Sequence, residues 1–428
     1  MVIRNDSVTT SISFSASDTV AGTALAAPPA QLRTRGVAIF TFFVIVVSFL
    51  DTMAQLPVLP TFVQSLGAGA RMVGLVLATY SIANMAGNVS AGLVIDRFGR
   101  KAGIILGMTV AGAAVALYAA VTSPQQLLGL RVLHGLGGAI LIPAAFAYSG
   151  DAANPARAGQ QMGRAGAAVA LAAMVGPAAG GIFRSIFGPR PLFLALGALL
   201  GVTALLVVFL LPESFRIARV SDSEILRPRR LGPVLRDRRL HFVFVAVFFV
   251  QIAMGTLSFA LPLAVEAAGF SAARSGMLLS IFSLVAIAFF VAPTAGLSDR
   301  WGRPIVIRLG MLFLIASMGL LALVQSIQFM ALAMVVYGVG YGFAFPAMCA
   351  TVVDRTDRSN RGTGFGVFYA VFSLGVATGP LLSGALVERG ISPTLVTAIV
   401  LGGAQLVLLL VGAGTVPAAA QAAARRSE

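Results

Sequence analysis

The amino-acid sequence predicts an all-α membrane protein with twelve transmembrane helices in two six-helix bundles and with both termini in the cytoplasm. The prediction depends on the hydropathy of the chain, the distribution of its basic residues and an internal repeat. Of the 428 residues, 58% are hydrophobic and 11% are charged, whereas soluble domains carry about 25% charged residues. The mean hydropathy is +0.94, which argues against a soluble enzyme. The net charge of +15 therefore reflects membrane topology rather than nucleic-acid binding.

Twelve apolar stretches are each long enough to cross the ~30 Å hydrocarbon core of a bilayer as a helix. They lie at 37–60, 72–95, 102–122, 126–149, 160–183, 190–211, 241–264, 273–296, 304–325, 328–352, 362–385 and 393–415. Residues 37–211 are thus predicted to form an N-terminal bundle, and residues 241–415 a C-terminal bundle. The polar segment 212–240 is predicted to be the cytoplasmic linker between them. Residues 1–36 are predicted to be a disordered cytoplasmic tail without a signal peptide, and residues 416–428 a second cytoplasmic tail.

The basic residues determine the predicted orientation. With the N-terminus in the cytoplasm, 24 of the 30 basic residues lie in cytoplasmic segments, five lie in outer loops, and Arg131 lies inside a span. Cytoplasmic loops of membrane proteins carry an excess of Lys and Arg, so both termini are predicted to be cytoplasmic. Lys101 is the only lysine among the basic residues. Such a preference for arginine over lysine is typical of GC-rich bacterial genomes. We therefore expect the protein in a bacterial cytoplasmic (inner) membrane.

The two predicted bundles repeat each other at a constant, gap-free offset of 203 residues. The offset pairs Asp96, Arg97, Gly99 and Arg100 with Asp299, Arg300, Gly302 and Arg303; Gly135, Gly137, Pro143 and Asp151 with Gly338, Gly340, Pro346 and Asp354; and Gly176, Pro177 and Gly181 with Gly379, Pro380 and Gly384. Such a repeat predicts two parallel bundles around a cavity near the middle of the membrane, which opens to either side in turn.

The loop after the second predicted span carries the most specific motif, Gly-Leu-Val-Ile-Asp-Arg-Phe-Gly-Arg-Lys at 92–101. The positive-inside rule explains the cations but not the acid or the glycines. A carboxylate that faces a helix N-terminus or an Arg could latch one conformation. The string resembles the signature loop of the major facilitator superfamily, and a degenerate copy begins at Ala295. The resemblance covers essentially all of 37–415 and implies the major facilitator fold. The predicted latch residues are Gly92, Asp96, Arg97, Gly99, Arg100, Asp299 and Arg300.

Two charged residues and a histidine are predicted inside the membrane: Asp51 in the first span, and Arg131 and His134 in the fourth. By helical rise, Asp51 and His134 lie ~13 Å from the outer ends of their spans and Arg131 ~9 Å, so the three could meet. The string that begins at Arg131 resembles the superfamily's fourth-helix motif associated with proton transfer, and Asp51 resembles the acidic first-helix site of the twelve-span drug:proton antiporters. We therefore predict proton coupling by these residues. A structural Asp51–Arg131 pair, an outward-facing Arg131 and a water-exposed Asp51 are the alternatives.

The same offset converts Asp51, Arg131 and His134 into Met254, Met334 and Tyr337. Both embedded charges thus belong to the first half, and the second half is predicted to offer an apolar, aromatic wall. The candidate residues of the substrate cavity are Gln55, Tyr80, Asn84, Gln251, Tyr337, Tyr341 and Phe345. Ordinary helix packing is the alternative for each of them.

The fifth predicted span contains Gly176, Pro177, Gly180 and Gly181, and its copy contains Gly379 and Pro380. Small residues permit close helix packing and Pro permits bending, so packing alone could explain the string. The string also resembles the Gly-Pro motif that marks antiporters of the superfamily, and this resemblance favours export over uptake.

These resemblances imply a secondary active transporter, in particular a proton-coupled exporter (antiporter) of small, partly hydrophobic compounds or drugs by alternating access. A proton symporter or facilitator for a metabolite such as a sugar or organic anion is the alternative, and a transport-inactive sensor would have the same fold. We expect no enzyme, because two His and one Cys provide no metal site or catalytic set. We expect no cofactor, with the proton gradient as energy source. The expected partners are the lipid bilayer, a small-molecule substrate and protons, without nucleic acid, and the expected functional unit is a monomer.

Overall fold

The computed structural model describes residues 35–151, 158–214, 231–291, 298, 300–324, 326–356 and 360–412. Its helices are α1 Arg35–Gln55, α2 Leu59–Ser65, α3 Ala70–Phe98, α4 Arg100–Leu117, α5 Pro124–Asp151, α6 Ala158–Phe187, α7 Pro189–Leu210, α8 Leu231–Arg236, α9 Arg238–Ala267, α10 Ala272–Val291, α11 Arg303–Leu323, α12 Ile327–Arg355, α13 Arg361–Val387 and α14 Pro393–Gly412. A 3-10 turn at Tyr118–Ala120 follows α4. The predicted N-terminal tail up to residue 34, residues 215–230 of the predicted linker and the predicted C-terminal tail lie outside the described residues.

Eleven of the described helices are long and apolar enough to cross a membrane. They are α1, α4 to α7 and α9 to α14. Helix α3, with 29 residues, is as long as these helices. The chain is therefore an all-helical integral membrane protein. Helix α8 and the first turn of α9 fall within the predicted linker 212–240.

The first predicted span, 37–60, is interrupted in the structure. Helix α1 ends at Gln55, a turn follows at residues 56–58, and the short helix α2 begins at Leu59. Pro57 has no amide hydrogen to continue the helical hydrogen bonds, and Pro60 occupies the first turn of α2, where proline is well tolerated. The interruption places Asp51 in the last full turn of α1.

The two halves of the chain pack in the same pattern. In the first half, α3 and α4 both pack on α5, α4 also packs on α7, and α1 packs on α6. In the second half, α10 and α11 both pack on α12, α11 also packs on α14, and α9 packs on α13. Each helix of the second list lies at about the 203-residue offset from its counterpart. The sequence repeat thus corresponds to a repeat of helix contacts.

Two helix pairs, α6 with α10 and α3 with α13, form most of the contact between the halves, and α9 also touches α2 and α3. A Cβ atom on Gly181 would overlap the carbonyl oxygen of Ala272, and a Cβ on Gly384 would overlap that of Ala70. The two contacts are related by the repeat, and both need glycine because backbone meets backbone. They lie where α3 and α10 begin and where α6 and α13 end, which we call the closed end.

Ion pairs accompany these contacts at the closed end. Arg71 Nε lies 2.6 Å from Glu388 Oε2 and joins α3 to the residue after α13. Arg184 on α6 pairs with Glu266 on α9. The polar contacts that join the halves at the closed end therefore include one ion pair beside each glycine contact.

Candidate functional site

A buried acid–histidine pair lies between α1 and α5. Asp51 Oδ2 is 2.7 Å from His134 Nε2, and Asp51 is 3% exposed while His134 is completely buried. Gln55, one turn later on α1, donates from Nε2 to Asp51 Oδ1 at 2.7 Å. Both carboxylate oxygens are therefore engaged by groups of the protein itself.

His134 is held on its second ring nitrogen as well. The Tyr118 hydroxyl lies 3.0 Å from His134 Nδ1, and the Tyr80 ring packs edge-on against the imidazole with 4.7 Å between ring centroids. Tyr118 occupies the 3-10 turn after α4 and is fully buried. A continuous chain of polar contacts thus runs from Tyr118 through His134 and Asp51 to Gln55. Both ring nitrogens of His134 are therefore in contact with polar groups of the protein.

Arg131 lies near this pair but has different partners. Its Nε donates to the Val76 carbonyl at 3.3 Å and its Nη2 donates to the Leu77 carbonyl at 3.4 Å. Its guanidinium carbon lies 4.8 Å from the centre of the Tyr80 ring, an arrangement that stabilises a cation on an aromatic face. In the described part of the chain, the ion-pair partner of Asp51 is His134 rather than Arg131. The buried Arg131 therefore ties α5 to α3 and lies beside the pair.

The predicted antiporter motif sets the position of α1. A Cβ on Gly180 would overlap the Ala54 carbonyl oxygen, and a Cβ on Gly176 would lie 2.6 Å from the Met53 Cβ. Helix α6 can approach the Asp51 turn of α1 because these two residues lack side chains. Pro177 and Gly181, on the other side of the motif, face α10 of the second half: a Cβ on Gly276 would overlap the Pro177 carbonyl oxygen. The motif thus lies between the acid–histidine pair and the interface of the halves.

Its copy in α13 has the corresponding position. A Cβ on Gly379 would lie 2.5 Å from the Ile252 carbonyl oxygen on α9, and a Cβ on Gly74 of α3 would overlap the Pro380 carbonyl oxygen. Each Gly-Pro string therefore contacts the first helix of its own half and one helix of the other half.

The predicted latch residues lie at the end of the molecule opposite the closed end. Gly99 separates α3 from α4 with φ of +96°. Arg100 Nε lies 3.1 Å from Asp151 Oδ2, and its backbone amide donates to Glu213 Oε1 at 3.1 Å. Glu213 thus faces the N-terminus of α4, and Asp151 faces Arg100; the corresponding role predicted for Asp96 falls on a side chain outside what the structure describes.

The structure describes the remaining predicted latch residues only in part. Gly92 and Asp96 belong to α3, but the surroundings of Gly92 and the side chain of Asp96 lie outside what the structure describes, as does the whole of Asp299. Arg97 and Arg300 are exposed. The second half repeats the ion pair at the same offset, because Arg303 Nε lies 3.2 Å from Asp354 Oδ2.

The cavity candidates fall into two groups. In the first half, Gln55 belongs to the Asp51 site, Tyr80 packs on His134 and Arg131, and Asn84 donates to the Gly135 carbonyl oxygen at 3.3 Å. In the second half, Tyr337, Tyr341 and Phe345 follow each other by one turn on α12, and Gln251 lies on α9. Tyr337 and Gln251 are fully buried, and Tyr341 and Phe345 are half-buried.

Sequence reasoning missed two residues of these sites. Tyr118 is an isolated tyrosine at the end of an apolar stretch, and nothing in its surroundings indicates that it reaches His134. Glu213 was assigned only to the linker. An acid soon after the last apolar residue of a span is the signal that could have identified it as a partner of a neighbouring helix N-terminus.

Comparison with known proteins gives consistent results. The family model described as Major Facilitator Superfamily matches residues 41–292 and 243–427. The chain is 26% identical over 362 residues to Multidrug resistance protein 2 of Bacillus subtilis, and the aligned region covers 81% of this chain and 88% of that protein. It is 29% identical over 345 residues to Multidrug resistance protein MdtG of Salmonella paratyphi A, and the aligned region covers 77% of this chain and 83% of that protein.

Solved structures share the fold. The nucleoside transporter NupG superposes with a TM-score of 0.71 at 16% identity over 87% of this chain and 96% of that one. A bacterial homologue of the human lysosomal transporter Spinster, in an inward-facing and occupied conformation, superposes with a TM-score of 0.72 at 14% identity over 89% and 97%. The family match and the repeated helix packing lead to one conclusion: the chain belongs to the Major Facilitator Superfamily of transporters.

Proposed function

We propose that the protein is a proton-coupled exporter of small, partly hydrophobic compounds in the cytoplasmic membrane of a bacterium, with twelve transmembrane helices and cytoplasmic termini. The observation that carries this proposal is the buried Asp51–His134 pair. A carboxylate and an imidazole in direct contact, both shielded from water, form a unit that binds one exchangeable proton. With the proton present, the pair has no net charge, and without it the pair carries one negative charge.

The placement of the pair supports its coupling to movement. Asp51 lies on α1, which packs on α6 through Gly176 and Gly180, and α6 in turn forms an interface with α10 of the other half. A change in the contact between Asp51 and His134 therefore acts on a helix that borders the interface. We propose that protonation favours one orientation of the halves and that substrate binding favours release of the proton.

The described contacts between the halves lie at the closed end, and the positive-inside rule assigns this end to the outer side of the membrane. In this assignment the structure is the inward-facing state, ready to accept substrate from the cytoplasm. The names of the relatives in Bacillus and Salmonella, both multidrug resistance proteins, favour export. A symporter or facilitator for a metabolite is the second candidate.

The experiment is proton movement in everted membrane vesicles that contain the protein, measured with a pH-sensitive dye while candidate compounds are added. We expect substrate-triggered release of protons from the lumen with the wild type, and loss of that signal with Asp51→Asn and with His134→Ala. The matched control is His241→Ala, because His241 is the second histidine and is exposed at the start of α9. Transport of a compound by the wild type without a proton signal would reject antiport and favour a facilitator.

A further inference from the structure

The wall of the second half contains polar atoms without partners. The Tyr337 hydroxyl and both polar atoms of the Gln251 amide are buried and make no hydrogen bond of ordinary geometry with the described residues. Buried polar groups are normally paired, and each unpaired one costs free energy. The Gln251 side chain lies within hydrogen-bonding reach of the Tyr341 hydroxyl, so Gln251 and the aromatic residues of α12 belong to one region.

The sequence repeat explains why Tyr337 has no partner. At the offset of 203 residues, Tyr337 corresponds to His134 and Met254 corresponds to Asp51. The histidine in the first half has a carboxylate to contact, whereas the tyrosine in the second half has a thioether at the corresponding position. Its hydroxyl therefore has no carboxylate at the repeat-related position, and it has no hydrogen-bond partner among the described residues.

Aromatic rings extend from Tyr337 along α12. Tyr337 and Tyr341 have nearly parallel rings, with 14° between their planes, and Tyr341 and Phe345 are stacked at 8° with 5.3 Å between centroids. The Phe372 ring of α13 lies edge-on to Phe345 at 6.2 Å. Exposure increases along the stack, from the buried Tyr337 to the half-buried Tyr341 and Phe345. A flat aromatic molecule fits such a surface by stacking.

The embedded charges of the first half are not available to a ligand. Both oxygens of Asp51 are bound by Gln55 and His134, and Arg131 is bound by two backbone carbonyls and the Tyr80 ring. When His134 is neutral, the charges of Asp51 and Arg131 cancel. When His134 is protonated, the net charge is +1, which repels a cation.

From these observations we infer that the substrates are uncharged, planar aromatic compounds with a hydrogen-bonding group, held by the stack on α12 and by Tyr337 and Gln251. The inference rests on the proposed function and makes it specific, because lipophilic cations are excluded. A cation would have to leave water without a free carboxylate to receive it.

The test is equilibrium dialysis with the full-length protein in nanodiscs, with empty nanodiscs as the blank. The probes are anthracene carboxamide, anthracene carboxylate and anthracenylmethyl trimethylammonium, which differ in charge but share the ring system. We expect the carboxamide to bind about tenfold or more tightly than the cation. We expect Tyr337→Phe and Gln251→Leu each to weaken the carboxamide by roughly 2- to 12-fold, as for the loss of one neutral hydrogen bond.

Tyr148→Phe is the matched control, because the Tyr148 hydroxyl donates to the Pro212 carbonyl oxygen in the first half, away from the stack. Equal or tighter binding of the cation, failure of the carboxamide to bind, or equal affinity in wild type and Tyr337→Phe would overturn the inference. Dialysis needs no proton gradient. Binding of the carboxamide that depends on Tyr337, together with an absent proton signal in vesicles, would reject the proposed antiport and leave the substrate class intact.

Discussion

Replacement of Gly180 by alanine tests whether the close contact between α6 and α1 positions the Asp51 turn. A Cβ at this position would overlap the Ala54 carbonyl oxygen and would lie 2.7 Å and 2.8 Å from the Ala54 carbonyl carbon and Cα. Carbon atoms in ordinary contact are about 3.5–4.0 Å apart, so the helices must separate by about 1 Å. These atoms belong to the backbone, which cannot turn aside as a flexible side chain can. We expect Gly180→Ala to destabilise the protein by about 1–3 kcal/mol and to lower the proton signal.

Gly163 provides the matched control on the same helix. It is exposed, and a Cβ there meets nothing within 4 Å. Alanine is a better helix former than glycine by up to about 1 kcal/mol, so Gly163→Ala should be neutral or stabilising. Thermal unfolding in detergent compares both variants with wild type, and the everted-vesicle assay reports the proton signal. If Gly180→Ala unfolds at the same temperature as Gly163→Ala and transports normally, the close approach of α6 to α1 is not what positions Asp51.

Two further predictions concern the ends of the helices. Asp237 caps α9 and pairs with Arg355 at 2.7 Å. Burial alone would raise the pKa of Asp237. The hydrogen bonds from Arg355 and from two backbone amides outweigh burial and leave the pKa below the ordinary value of 3.8. A lowered carboxyl pKa stabilises the fold at pH values above 3.8, and this stabilisation is lost as the pH falls through the folded-state pKa. Thermal unfolding should therefore show Asp237→Asn less stable than wild type by up to about 1 kcal/mol at pH 7 and as stable as wild type at the acid end of the titration. A stability difference that persists at the acid end would contradict the ion-pair explanation. Gly99 and Gly302 both have positive φ, at +96° and +85°, so alanine at either position should cost about 1–3 kcal/mol. At Gly99, but not at Gly302, the new Cβ would also meet the Glu213 carboxylate, at 2.7 Å. Gly99→Ala should therefore be less stable than Gly302→Ala in the same unfolding experiment. If Gly302→Ala is the less stable variant, Glu213 does not occupy this position.

The sequence predicted the helices and their repeat well because both are encoded in local patterns. Apolar length defines a span, and eleven of the twelve predicted spans correspond to helices that are long and apolar enough to cross a membrane. The remaining predicted span, 72–95, lies within helix α3. The break after Gln55 was missed because two prolines within an apolar stretch do not change its hydropathy, although Pro57 removes a backbone donor.

The candidate site was predicted in part. Helical rise placed Asp51 and His134 at the same depth, and the structure brings them into direct contact. The same arithmetic could not choose between His134 and Arg131 as the partner, because depth along a helix does not give the direction of a side chain. Tyr118 was unpredictable for a related reason: its contact with His134 depends on how α4 and its 3-10 turn pack on α5, which no local pattern encodes.

The interface between the halves includes contacts of backbone with backbone. At Gly181 with Ala272 and at Gly384 with Ala70, glycine meets a carbonyl oxygen, so the fit at these two positions depends on the path of the chain. The residues that would recognise a ligand lie elsewhere, on α12 and α9. Residues of α12 and α9 that would contact a ligand can therefore be substituted without loss of the contacts between the halves. The residues that contact a ligand and the glycines that close the interface can therefore change independently of each other.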